Sequence, residues 1–131
     1  GTLWAYQEYS ARAAEERREV ELAAREEKAS KEARARALVG EQVQVRAQGR
    51  NRLLCRVESY AMESSWVYRP VMYERWEGRL NVVVEAIVDA EGRTLADAAR
   101  VPFRFADNEV TRGDRLEVDL DELAEGAEPP P

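Results

Sequence analysis

The chain contains no histidine and a single cysteine, Cys55, among its 131 residues. These absences exclude histidine-dependent acid–base catalysis, disulfide bonds within the chain and the usual zinc sites. Cys55 falls on the apolar side of a predicted strand, where a cysteine behaves as a small hydrophobic residue, and its neighbour Arg56 alternates to the opposite face. We therefore expect no enzymatic activity, no catalytic residue, no bound metal and no cofactor.

Helix-breaking residues are absent from the first part of the chain, residues 1–40. Between Gly1 and Gly40 there is no glycine or proline, and Ala, Glu and Arg predominate. Gly40 stands where a helix C-terminal cap is expected, so one helix is predicted, roughly 55 Å long at 1.5 Å per residue. Its eight acidic and eight basic residues cancel, and its central part has only two large apolar residues, Val20 and Leu22. We expect a solvated spacer or, alternatively, an oligomerising stalk.

Large apolar residues are crowded at the start of this helix, namely Leu3, Trp4, Tyr6 and Tyr9. Trp and Tyr are enriched at membrane interfaces, and such a cluster before a charged helix is typical of the exit from a transmembrane span. The first two residues, Gly1-Thr2, replace an initiator Met and resemble a cloning or processing scar, so we expect the native protein to continue upstream. The alternative is that the four residues pack on the β domain or on another helix.

Alternation of apolar and polar residues begins at Gln42, which indicates β-strands. Gly49-Arg50-Asn51 predicts the turn of a first hairpin, although Leu53, Val57 and Tyr60 also suit one face of a short helix. The later β-prone stretches cover residues 65–75, 80–88, 101–105 and 116–120. Pro70 lacks a backbone donor and is expected to place its stretch at a sheet edge or to break it in two.

These short strands with local turns predict an antiparallel β domain over residues 41–124. The candidate architectures are a sandwich with an immunoglobulin-like strand pattern and a small barrel. Together with the long helix, they predict an α+β fold. The Glu- and Pro-rich tail, residues 125–131, is expected to be disordered.

Half of the ten aromatic residues lie between Tyr60 and Trp76. Aromatic, Met and Arg residues are enriched at protein interfaces. Alternation places apolar residues on both faces, with Trp66, Tyr68 and Met72 on one and Val67, Val71 and Tyr73 on the other. We expect one face to line the core and the other to be covered by the helix, a second subunit or another partner. The candidate partner-binding residues are Trp66, Tyr68, Arg69, Tyr73, Arg75 and Trp76.

Arginine interleaved with aromatics also suits single-stranded nucleic-acid binding on a small β barrel. Residues 41–79 hold seven Arg and five Glu, a small positive excess in a chain of net charge −6. The bias of 18 Arg against 2 Lys is typical of GC-rich coding rather than of a binding site. We therefore expect a non-catalytic interaction or assembly module, carried on a helical stalk in a membrane-tethered bacterial assembly. Its expected partner is another protein or a second copy, and nucleic-acid binding is the alternative.

Overall fold

The computed structural model describes residues 2–68, 71–95, 99–104 and 108–124. The elements run in the order α1 (Thr2–Leu38), β1 (Gln42–Arg46), β2 (Arg52–Tyr68), β3 (Met72–Val88), β4 (Val101–Pro102), β5 (Glu109–Val110), β6 (Arg115–Asp119) and a 3₁₀ turn (Leu120–Glu122). Strands β1-β2-β3-β6 form one antiparallel sheet in that order, and β4 and β5 form a second, small one. The predicted α+β fold with a long N-terminal helix and an antiparallel β domain is confirmed.

The four-stranded sheet stays open within the described ranges, so the closed-barrel alternative is wrong. Beside β1 lies an isolated bridge between Val45 and Leu123, which covers only part of that edge. The tail, residues 125–131, for which disorder was predicted, lies outside the described residues.

The helix ends close to where the sequence places its end. Gly40 has a φ of +85°, in the left-handed region that glycine adopts without strain. There the chain turns into β1, and the Gly40 N–H donates a hydrogen bond of 2.8 Å to the carbonyl of Val57 in β2. The helix terminus is thereby joined directly to the sheet.

Strands β2 and β3 differ most from the sequence prediction, because each is 17 residues long. Together they form one long hairpin, so residues 65–68 and 72–75 are its distal end rather than a separate strand, and the short helix predicted as an alternative for residues 53–60 is wrong. Pro70, which was expected to lie at a sheet edge or to break its stretch in two, lies outside the described residues. Two β-bulges, at Glu58 and Glu85, each insert an extra residue into the pairing. Beyond each bulge the side chains that faced the core face away from it, and those that faced away face the core. The alternation of apolar and polar residues in the sequence is therefore interrupted within each strand.

The core combines one face of the sheet with the end of the helix. Helix α1 contributes Ala35 and Leu38, and the strands contribute Leu53, Leu80 and further apolar residues. Gly78 lies where the helix crosses β3, and a Cβ atom there would come within 2.8 Å of the Leu120 side chain. The last helical turns are therefore part of the core, and a larger residue at position 78 would require the Leu120 side chain to shift.

The N-terminal half of the helix makes much less contact. Between Thr2 and Arg18 only Glu8 and Ala13 are even partly buried. We predict that deleting residues 1–18 changes the free energy of unfolding by less than about 0.5 kcal/mol, as is usual for exposed positions. Urea denaturation of the shortened and full chains measures this difference. A loss above about 2 kcal/mol would mean that the N-terminal half contributes to the fold.

Candidate interaction surface

The distal part of the hairpin, residues 59–68 and 72–78, is a two-stranded ribbon, called the ribbon below. On the β2 side, pairing with β1 ends at Arg56, and backbone bonds from Gly40 and Glu41 extend it to Val57. On the β3 side, β6 pairs only from Arg79 onward. Within the part of the chain that the structure describes, the ribbon strands pair only with each other.

The register assigns each ribbon side chain to one of two faces, since directly opposite residues share a face. Trp66 lies opposite Glu74, and Tyr68 lies opposite Met72. The same face carries Tyr60, Met62 and Trp76, and it is called the aromatic face below.

Helix α1 covers the proximal half of the aromatic face through polar contacts. The Nζ atom of Lys28 lies 4.0 Å from the ring centroid of Trp76, and Lys31 Nζ donates a 2.9 Å hydrogen bond to the Trp76 carbonyl. Nearer the core, the Tyr60 hydroxyl donates to Glu32 and accepts from Arg36, each at 3.3 Å. The bond to Tyr60 raises the pKa of the Arg36 guanidinium above its ordinary value. The helix thus fixes the position of the ribbon.

Farther out, the helix covers the ribbon incompletely and leaves a patch of apolar side chains exposed. Trp66, Tyr68 and Met72, called the tip patch below, are 66%, 76% and 53% exposed. Between this patch and the helix lies a cavity of about 190 Å³, lined by Glu21, Ala24, Trp66, Met72, Tyr73, Glu74 and Trp76. Three large apolar side chains on one face are a candidate interaction surface.

The opposite face of the ribbon is polar and is tied to β6. Arg79 forms ion pairs with Glu63 at 2.8 Å and with Glu117 and Asp119 at 3.3 Å. Asp119 in particular raises the pKa of Arg79. One guanidinium therefore connects β2, β3 and β6 at the base of the ribbon.

The structure brings together only part of the predicted partner-binding set. Trp66, Tyr68 and Trp76 share the aromatic face, but Trp76 already contacts the helix. Tyr73 and Arg75 both lie on the opposite, polar face, where Arg75 Nε is 3.9 Å from Glu77 Oε1. Arg69 lies outside the described residues.

Sequence reasoning left Met72 and the acidic neighbours Glu21 and Glu74 out of the predicted set. Met72 joins the tip patch because it pairs with Tyr68, and alternation had already placed it on one face with Trp66 and Tyr68. Glu21 reaches the site from a distant part of the sequence. The pairing of Glu74 with Trp66 identifies Glu74, whereas Glu21 can be found only from the position of the helix.

The four N-terminal apolar residues, Leu3, Trp4, Tyr6 and Tyr9, are all strongly exposed. In the described chain they do not pack on the β domain, which was one of the two alternatives. No helix among the described residues has a stretch long and apolar enough to cross a bilayer.

The buried thiol of Cys55 belongs to the core rather than to a site. Desolvation, with a smaller contribution from the charge of Glu85, raises its pKa to about 12, so the thiol is protonated at neutral pH. The described residues contain no group of three His, Cys, Asp or Glu side chains placed to hold a metal ion.

Comparisons with known proteins add no family assignment. The sequence matches no protein-family model, and neither the curated proteins nor the solved structures give a significant match. Any functional conclusion therefore depends on the chemistry of the surface itself.

Proposed function

We propose that the protein is a non-catalytic interaction module that binds another protein chain through the tip patch. The observation that carries this proposal is the exposure of Trp66, Tyr68 and Met72 on one face of a ribbon that the helix holds in place. Large aromatic side chains and Met supply much of the binding energy at protein interfaces. Because the ribbon is already ordered, binding loses little conformational entropy.

The charges around the tip patch favour a protein partner over single-stranded nucleic acid. Glu74 lies opposite Trp66, and Glu21 borders the same cavity. Carboxylates beside the exposed ring repel phosphate, whereas Arg75 projects from the other face of the ribbon. Base stacking on Trp66 and phosphate contact with Arg75 would therefore require two different faces.

We extend the proposal to a membrane-tethered bacterial assembly in which α1 is the stalk. The exposed cluster of Leu3, Trp4, Tyr6 and Tyr9 supports this extension, because such side chains are enriched where a chain meets the membrane interface. The projecting half of the helix would separate this cluster from the tip patch.

Site-specific photo-crosslinking in cells tests the proposed function. We predict that a photoreactive amino acid at position 66 gives protein adducts, and that one at exposed Glu91, in a distant turn, gives none. Tyr68→Ala should reduce the adducts from position 66 about 30-fold, since losing an interface anchor costs about 2 kcal/mol. Mass spectrometry identifies each adduct.

Two outcomes would contradict the proposed function. The first is equal labelling from positions 66 and 91, which would mean that the tip patch has no preference for a partner. The second is saturable micromolar binding of a single-stranded oligonucleotide that weakens steeply with salt and is lost in Arg75→Gln. That second result would favour nucleic-acid binding.

A further inference from the structure

One edge of β2 is unpaired along the ribbon. From Ser59 to Tyr68, no described strand lies beside β2 on the side that β1 occupies nearer the core. An unpaired edge presents a row of backbone donors and acceptors that can pair with another strand. Proteins usually protect such edges with charges or proline, but residues 59–68 contain no proline and one charged residue, Glu63.

The sequence along this edge is self-complementary about Ser64. An antiparallel pairing of two copies centred there places Ser64 opposite Ser64, with the flanking pairs Glu63 and Ser65, Met62 and Trp66, Ala61 and Val67, and Tyr60 and Tyr68. In this register each aromatic or apolar residue lies opposite another aromatic or apolar residue. Glu63, the only charged residue of residues 59–68, lies opposite Ser65. Cross-strand pairs of this type stabilise sheets, and no like charges are opposed.

Other registers that keep the aromatic faces together fit less well. A pairing centred on Glu63 places the Glu63 side chains of the two copies directly opposite each other, and these like charges repel. Moving it to Ser65 places Glu63 opposite Val67, which joins a charge to an apolar side chain. The pattern of the edge therefore selects the register centred on Ser64.

We propose that two copies of this chain form a two-fold symmetric dimer by antiparallel pairing of their β2 strands about Ser64. This inference rests on the proposed function, because it names a second copy as the occupant of the tip patch. In such an isologous interface, Trp66 of each copy packs against Met62 of the other. The two four-stranded sheets then become one continuous sheet.

The surrounding structure leaves room for this pairing. Helix α1 contacts Trp76 and Gly78 in β3, and its Glu32 and Arg36 also bond the Tyr60 hydroxyl at the core end of the free edge. With strands about 4.8 Å apart, the two β3 strands lie about 14 Å from each other, more than the 8–10 Å of packed helices. The proposed pairs lie between Tyr60 and Tyr68, beyond the backbone bonds of Val57, so β1 does not occupy this part of the edge.

Sedimentation equilibrium of the full chain and two charge variants at Ser65 tests the dimer. In the proposed register the residue at 65 faces Glu63 of the other copy, whereas within one chain it faces Arg75. Ser65→Glu should therefore weaken the dimer about tenfold, and Ser65→Lys should tighten it by a similar factor, since each change occurs in two symmetric pairs. The two variants should change monomer stability in the opposite direction. Glu at position 65 would attract Arg75 and stabilise the monomer, whereas Lys would repel Arg75 and destabilise it.

Disulfide trapping tests the register directly. Ser64→Cys places two thiols opposite each other at the two-fold axis, and mild oxidation should give a covalent dimer. The matched control Ser59→Cys lies on the same edge, but its two copies would be about 33 Å apart and should stay monomeric. Cys55 is buried with a raised pKa, so it does not compete.

The inference and the proposed function fail in different ways. A monomeric mass up to several hundred micromolar, without trapping of Ser64→Cys, would overturn the dimer, whereas adducts from position 66 to a different protein would still support the proposed function. A dimer with equal affinity in the wild type and both Ser65 variants would overturn the proposed register. Thermal unfolding of each variant confirms that the chain remains folded.

Discussion

Replacing Leu38 with alanine is expected to lower the free energy of unfolding by about 2–5 kcal/mol, the usual range for a buried leucine. Leu38 is only 1% exposed and belongs to the core formed with the sheet. Removing its side chain leaves a cavity that the strands on both sides cannot fill without moving. Urea denaturation followed by far-ultraviolet circular dichroism measures the difference.

Leu22→Ala is the matched control for this change. The same atoms are removed from the same helix, but Leu22 is 57% exposed, so we expect a change below about 0.5 kcal/mol. If the two substitutions lowered the free energy of unfolding equally, Leu38 would contribute no more to the core than the exposed Leu22. That result would contradict the packing of Leu38.

Replacing Gly78 with valine is expected to lower the free energy of unfolding by about 1–3 kcal/mol, as overpacking does in a filled core. The Cβ atom would lie 2.8 Å from Leu120 Cδ1 and 3.8 Å from Ala35 Cβ, so the Leu120 side chain would have to shift and the valine methyl groups would press on Ala35. If the helix shifts in response, Lys28 should separate from Trp76, and the fluorescence of Trp76 should change.

A double-mutant cycle with Leu120→Ala identifies the cause of this effect. Truncating Leu120 creates the space that the valine needs, so the double variant should be more stable than the sum of the single effects predicts. Additive effects would mean that contact with Leu120 is not what limits position 78. Ala61→Val, an exposed ribbon substitution, is the control for inserting a β-branched residue.

The helix could be predicted from the sequence because its signals are local. The absence of glycine and proline between Gly1 and Gly40 allows one continuous helix, and the left-handed turn at Gly40 ends it. The antiparallel strands were likewise visible in the alternation from Gln42 onward. By contrast, the length of the hairpin was hidden, because the bulges at Glu58 and Glu85 interrupt the alternation within continuous strands.

The candidate surface was predictable by segment and partly by face. Composition identified the region from Tyr60 to Trp76, and alternation separated Trp66, Tyr68 and Met72 from Tyr73, as the register also has them. Which residues of β2 and β3 lie opposite each other depends on the pairing of the two strands, which alternation within one segment does not give. The partial cover of Trp76 by Lys28 depends on a helix almost fifty residues earlier, which no local pattern reveals.

Because α1 runs without interruption from the N-terminal apolar cluster to the cavity beside the tip patch, it also sets the distance between them. Trp4 and Glu21 are 17 residues apart on one continuous helix, which corresponds to about 25 Å along its axis. In the proposed tethered state, the tip patch is therefore held at a set height above the membrane surface. Each residue inserted between these positions would raise that height by about 1.5 Å and rotate the patch by about 100°, so the number of residues encodes both reach and orientation.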